Sequence, residues 1–212
     1  MGNFVHLHVH TEYSILDGAT KIAVAAKKAK ALGMPALAIT DHGNMYGAVN
    51  FFDACEKEGI KAIIGTEFYV CDDLTVKSGK AKLNHLVLLC KNEEGYKNIS
   101  LLNAIAFRDG FYYKPRIDLK TLEAHHEGLI CLSACLAGDI PQAILNRNFD
   151  EAERLVLWFK NLFGEDFYLE MQNHMLEEQL EVNKYLRTYA KKYGIKLVAT
   201  NDVHYLERSD AE

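Results

Sequence analysis

The 212-residue sequence is short of proline, with only 3, and contains a single tryptophan. So few breakers, beside 49% hydrophobic and 25% charged residues, exclude a disordered, collagen-like or proline-rich chain. Long apolar runs are missing too. None approaches the ~20 residues of a membrane-spanning helix, and the opening MGNFVHLHVHTEYS has neither the basic flank nor the apolar stretch of a secretory signal. A cytoplasmic protein with no membrane partner is the expectation. Positive charge is not in excess: 24 Lys+Arg against 29 Asp+Glu give a net charge of −5, which excludes a sequence-blind electrostatic binder of nucleic acid. Cysteine is sparse, odd in number and irregularly spaced, at Cys55, Cys71, Cys90, Cys131 and Cys135. Reduced thiols, four of them core residues, are expected instead of a disulfide framework. A single domain over 1–212 buries roughly 70% of its unfolded surface and needs no staples.

What is present is alternation. Seven short apolar runs, rich in β-branched and aromatic residues, read as strands: Phe4 to Val9, Ala36 to Thr40, Ala62 to Val70, Leu86 to Cys90, Leu129 to Ser133, Phe167 to Met171, and Lys196 to Thr200. Helical patterns lie between them. One sets Ile22, Ala25, Ala26, Ala29 and Leu32 on a single face and stops at Gly33, where a left-handed cap is wanted. Others span about 45–58, 93–107, the stretch opened by Asn148 and Glu151 in capping-box spacing, and 177–193. The stretches 72–84 and 108–117 read as surface loops. Strands that are continuous apolar runs between helices belong to a parallel sheet covered on both faces. Seven such units predict an α/β fold, a closed seven-stranded (β/α)7 barrel resembling the TIM barrel; no phosphate-cradling glycine motif follows any strand to favour an open doubly wound sheet.

In parallel barrels chemistry collects at the C-terminal ends of the strands, and here those ends carry metal-type donors. The first run finishes in His8-Val9-His10, where alternate residues of an extended segment face the same way. The second finishes in Asp41-His42, Glu67 interrupts the third, Cys135 follows the fifth, and Asp202-Val203-His204 repeats the alternate pair after the seventh. A lone histidine at a strand end is usually a hydrogen-bonded structural residue, Asp17 alone is a good helix cap, and Cys135 alone is a small core residue. Together, buried carboxylates and imidazoles would each cost several kcal/mol without a compensating cation. Mixed imidazole, carboxylate and thiol donors suit zinc, or manganese and iron where oxygen dominates. The donors exceed what one tetrahedral ion needs. A metal-assisted hydrolase follows, and no nucleophile elbow supports acyl chemistry.

At these residues the sequence is identified as a member of a known family. FVHLHVHTEYSILDG, ALAITDHGNMYGAVNF, AIIGTEFYV, GFYYKPRID, GLICLSACLAGDI and KLVATNDVHY resemble the polymerase-and-histidinol-phosphatase (PHP) domain at the amino terminus of bacterial DNA polymerase III alpha subunits. The resemblance runs from Phe4 to the last residue. It implies a distorted seven-stranded barrel holding three divalent metal ions, zinc foremost, on His8, His10, Asp17, His42, Glu67, His85, Cys135, Asp202 and His204. It further implies a phosphoesterase acting as a 3′-to-5′ exonuclease on DNA 3′ ends. Asp41, Lys114, Arg116 and His174 would then support the ligands or touch substrate. The chain would be a fragment of a larger polymerase subunit, its partners the remaining polymerase domains, a proofreading subunit and other replisome components, with nucleotide incorporation lying in the domains beyond it. His85 sits at the beginning of its predicted strand, not the end, so its place rests on the resemblance alone.

Three other readings stay open. A free-standing phosphatase of small molecules such as histidinol phosphate uses a similar barrel and ligand set. An amidohydrolase barrel also opens with H-x-H and bridges two metals through a carbamylated lysine, here Lys91. A catalytically silent module would brace a polymerase and dock a proofreading subunit.

Overall fold

The structure, a computed structural model, describes residues 4–80 and 82–211. Seven strands form one sheet: β1 (Ala36–Ile39), β2 (Lys61–Cys71), β3 (Asn84–Cys90), β4 (Arg116–Asp118), β5 (Leu129–Leu132), β6 (Phe167–Met171) and β7 (Lys196–Ala199). The hydrogen-bonded order is β1-β2-β3-β5-β6-β7, with β4 paired to the end of β2. Seven α-helices connect them: α1 (Ile22–Ala31), α2 (Ala48–Glu58), α3 (Glu93–Arg108), α4 (Leu119–Ala124), α5 (Asp139–Leu145), α6 (Phe149–Phe163) and α7 (Glu177–Tyr193). The helix signals in the sequence mark real ends. Gly59 and Gly194 close α2 and α7 in the left-handed conformation, which glycine adopts without a Cβ clash. Asn148 caps α6 by accepting from the Glu151 amide at 3.3 Å.

Four expectations are corrected. The count of seven strands holds, but the Phe4–Val9 run is not one of them and the three-residue β4, in a stretch expected to be loop, takes its place. Residues 6–10 are instead an extended seam. The Ala38 amide donates to the His6 carbonyl at 3.0 Å on one side, and the His10 amide donates to the Val203 carbonyl at 2.7 Å on the other, so the segment joins β1 to the residues after β7. The sheet is also mixed: β3 runs antiparallel to both β2 and β5. A continuous apolar run specifies burial on two faces but not direction. Asp17 does not cap the first helix, because α1 begins at Ile22 with Lys21 before it. Leu32, beyond the last helical residue, is exposed.

The barrel closes around a small interior of Ala38, Val87, Leu89, Leu132 and Ala134, against which Leu7, Ile63, Ile130, Tyr168 and Val198 pack. The larger core lies outside the sheet, where Ile99, Leu102, Val156, Phe159 and Leu186 of α3, α6 and α7 cover it. Side chains alternate across a strand with period two, so the interior residues Ile63, Tyr168 and Val198 are in phase with Glu67, Glu170 and Asp202 further along the chain. Each inward file runs from apolar at one end of the barrel to ionisable at the other. The reversed β3 obeys the same rule backwards: it enters at the polar rim with His85 and descends through Val87 and Leu89.

Candidate metal centre

Nine sequence-nominated donors meet at that rim. Glu67 is their hub. Its carboxylate lies 3.2 Å from His8 Nε2, 3.6 Å from His10 Nε2, 2.6 Å from His42 Nδ1 and 2.9 Å from His85 Nδ1. Asp202 Oδ1 is 3.2 Å from both His8 Nε2 and His10 Nε2. Asp17 reaches in to 3.1 Å from His42 Nε2. Cys135 Sγ is 3.6 Å from His85 Nδ1 and 3.9 Å from Glu67 Oε1, and the His204 ring stacks on His10 at 4.2 Å. Ligand atoms converge within 4.8 Å in three overlapping sets: His10, His42 and His204; His8, His10 and Glu67; His42, Glu67 and His85.

The antiparallel course of β3 explains His85. A strand running against its neighbours begins where they end, and on the β2–β3 ladder His85 pairs with Tyr69, two residues from Glu67 on the same face, which brings its Nδ1 to 2.9 Å from that carboxylate. The backbone also bends to serve the rim. Ala134 and Asp202 both have left-handed φ, +63° and +48°; for a non-glycine residue this costs about 1–3 kcal/mol, here at the positions that turn Cys135 and Asp202 inward.

Several of these short contacts leave their atoms without a hydrogen bond. His8 Nε2, His10 Nε2, His42 Nδ1, Glu67 Oε2 and Asp202 Oδ1 are buried without a hydrogen-bond partner. Orphaned buried polar atoms are rare because each forfeits its solvation. Five of them aimed at shared points are what a divalent-cation site requires, and the imidazole, carboxylate and thiol donors fit such ions.

Behind the donors, other residues fix which ring nitrogen faces inward. Asp41, buried, accepts from the Thr11 amide at 2.6 Å, Thr11 Oγ1 at 2.8 Å and Ser14 Oγ at 2.8 Å. Ser14 has then spent its only proton. Its oxygen therefore accepts from His10 Nδ1 at 2.8 Å and from the His42 amide at 3.1 Å, which leaves His10 Nε2 bare toward the cluster. Asp41 thus acts through Ser14 on two donors, and it is too buried to meet a substrate. Glu170 does the same for His8, whose Nδ1 it holds at 2.7 Å; Gln172 donates to the same oxygen at 3.1 Å, and Thr200 also donates to it. Sequence reasoning missed Glu170. The signal was there, since an acid interrupts the apolar run FYLEM of β6 as Glu67 interrupts β2.

Electrostatics follow from this crowding. Burial alone would lower the His8 pKa, but the charges of Glu170, Asp202 and Glu67 overcome it and hold the imidazole well above its usual range. Burial pushes His10 down. For His42 burial is outweighed by its close contact with the Glu67 carboxylate and by the charge of Asp17, and the pKa rises. Burial would raise Glu67, yet the His8 charge and the neighbouring imidazoles hold it well below the carboxylate range. Asp202 falls to about 2 against its burial, through His8 and His10. Burial, then Glu67 and Asp202, push the Cys135 thiol far up. The donors collectively demand positive charge.

Three other nominated residues lie elsewhere. Arg116 is buried and donates to the carbonyls of Gly110 at 2.8 Å, Val76 at 3.1 Å and Leu74 at 3.4 Å, so it pins two loops and is not presented to a substrate. His174 Nε2 contacts the Asn201 carbonyl at 2.9 Å, beside Asp202, and its Nδ1 accepts from Gln179 at 3.0 Å; it touches no donor of the cluster. Lys91 lies past the far end of the reversed β3, roughly 20 Å from His85 along the strand, paired to Asp166 at 2.6 Å. It cannot bridge metals at the rim, which removes the carbamate reading. Lys114 does border the cluster, its Nζ 5.4 Å above the Tyr69 ring, which stacks on His42 at 5.9 Å.

Comparison with known proteins agrees with this architecture. Residues 6–174 match the family described as PHP domain. The DNA polymerase III subunit alpha of Borreliella burgdorferi is 49% identical over 98% of the chain, and that of Treponema pallidum is 47% identical over 99%. In both, the chain spans only 18% of the relative's length. Among solved structures, a protein of Bifidobacterium adolescentis assigned as a metal-dependent phosphoesterase superposes with a TM-score of 0.58 at 16% identity, covering 94% of this chain and 87% of that one. An amidohydrolase from Chromobacterium violaceum superposes with a TM-score of 0.60 at 15% identity, covering 96% and 88%; at such identities the likeness concerns the fold. No helix among the described residues is long and apolar enough to cross a membrane. With the family match over most of its length, a donor-lined barrel rim and relatives at nearly half identity, the chain belongs to the PHP domain family.

Proposed function

We propose that this chain is a metal-dependent phosphoesterase acting on DNA 3′ ends, a 3′-to-5′ exonuclease carried within a DNA polymerase III alpha subunit. One observation carries the reading: five buried donor atoms without hydrogen-bond partners converge on the rim. His8, His10, Asp17, His42, Glu67, His85, Cys135, Asp202 and His204 would hold up to three divalent ions, Glu67 being common to two of the three converging donor sets. Such ions supply Lewis acidity, lowering the pKa of a water to about 7 and neutralising charge on phosphoryl oxygens.

The chain's own contributions are positioning and charge. Glu170 and the Asp41–Ser14 pair hold His8 and His10 with Nε2 turned inward, a supporting arrangement typically worth tenfold to a hundredfold in metal affinity. Glu67, Asp202 and Asp17 set a negative field that cations must occupy before a phosphodiester, itself anionic, can approach. Lys114, the cation beside the mouth, offsets the charge of an incoming phosphate.

The test pairs elemental analysis of purified protein with hydrolysis of single-stranded and mismatched 3′ ends. Bound zinc, manganese or iron together with cleavage that chelator abolishes is the expected result. Protein that takes up no metal when supplied with these ions, and cleaves neither DNA nor a small phosphodiester, would leave a silent module bracing a polymerase.

A further inference from the structure

Beyond the donor cluster, the same rim carries a row of uncovered aromatic rings. Tyr46, Phe107 and Phe111 are 58%, 40% and 49% exposed. The Tyr46 and Phe107 ring centroids are 6.1 Å apart, and Phe107 and Phe111 follow at 6.4 Å with planes 23° apart. Chain direction puts them beside the cluster. Because β3 begins at the rim and ends at the far side, α3 must climb back; its 16 residues rise about 24 Å and deliver Phe107 to the rim. Tyr46 stands four residues after the donor His42. The loop after α3 is pinched shut, Gly110 donating its amide to Ile105 at 3.1 Å and accepting from Arg116 at 2.8 Å. Its tip leans on the cluster's edge: a Cβ on Gly43 would come within 2.8 Å of Pro115 and 3.3 Å of the Tyr69 ring. Lys114 lies on that tip and makes no ion pair among the described residues.

We propose that Tyr46, Phe107, Phe111 and Lys114 form a subsite for the unpaired nucleotides of a DNA strand whose 3′ end enters the metal centre. The proposal rests on the phosphoesterase reading for its direction, not for its chemistry. Strand-binding surfaces without sequence preference combine flat rings, on which any base stacks, with cations that follow the backbone, and both border His42 here: Tyr46 stands four residues after it, and Lys114 lies over the Tyr69 ring that stacks on it. A second exposed apolar groove, lined by Val49, Phe52 and Tyr96, differs in its cation: Lys91 there is already paired to Asp166 at 2.6 Å.

The experiment measures fluorescence anisotropy of a short labelled oligothymidylate, its 3′ end protected by phosphorothioate linkages so that hydrolysis is blocked, against the metal-loaded protein. Phe107→Ala/Phe111→Ala should weaken binding about tenfold or more, and Lys114→Gln should flatten its salt dependence by about one ion. Val49→Ala should leave binding unchanged. Hydrolysis of bis-p-nitrophenyl phosphate, which needs no stacking, should be equal in wild type and the Phe107→Ala/Phe111→Ala variant, and circular dichroism confirms that both are folded. Wild-type oligonucleotide affinity in that folded variant, or no binding by wild type, overturns the subsite; if the variant instead loses self-association, the face is an interface between copies. Aromatic-dependent binding by a protein inactive on both substrates would leave the subsite standing while the phosphoesterase reading falls.

Discussion

The two ends of the barrel use the same kinds of charged residue to different ends. At the far end Lys91 pairs with Asp166 at 2.6 Å, and Glu165 with Lys160 at 2.9 Å and Lys196 at 3.3 Å, near the surface; each charge has a partner of opposite sign and water for the remainder. At the rim Glu67 faces four imidazoles, fully buried, and the contacts leave lone pairs aimed at common points. Exposed pairs are worth about 0–1 kcal/mol. Buried, incompletely partnered groups cost several. A fold keeps such a cost where something other than the protein offsets it.

The sharpest way to break this contrast is to remove the hub. Glu67→Ala should bring hydrolysis to the level of a blank and empty the protein of metal by elemental analysis; retained metal would move the centre off Glu67. A subtler cut is Glu170→Gln, which preserves shape but lets the His8 ring turn. Metal affinity, read by competition with a chromogenic chelator, should fall about tenfold to a hundredfold with secondary structure intact. Unchanged affinity would make Glu170 a packing residue.

Acid should act at the rim in a defined window. Asp202 is held at about 2, below its unfolded value of 3.8. Its contribution, roughly 2 kcal/mol in metal-free protein, is therefore fully present above 3.8 and lost as pH falls toward 2. Asp202→Asn should flatten the denaturant midpoint across that interval; an unchanged acid limb would contradict it. The smallest effect belongs to the far end. Lys91→Ala should change melting temperature and hydrolysis by no more than measurement error, and any loss of metal would revive the carbamate bridge.

How much of this was legible in the chain follows from what each signal encodes. Seven of the nine donors were readable because residue type and alternate spacing at the end of an apolar run constrain them locally; Asp17, which reads alone as a helix cap, was placed by resemblance. His85 was placed by resemblance alone, for an apolar run such as LVLLC carries no arrow and only the fold reveals that β3 is reversed. Glu170 escaped because one acid in a five-residue strand is unremarkable until His8 arrives from 162 residues away. The role of Arg116 was misread for a related reason. Its partners are backbone carbonyls, which every residue has and no sequence pattern marks. β4, three residues long, is too short for any periodicity.

The seam at residues 6–10 carries one further consequence. Between this segment and the residues after β7 the barrel is joined by a single bridge, Val9 to Val203, whereas β2 and β3 share a six-residue ladder. Yet His10 and Asp202 stand on opposite sides of that join, 3.2 Å apart. An ion held between them would fasten a segment near the start of the chain to one near its end, a clasp where the sheet is weakest, so that loading the centre and locking the barrel become one event.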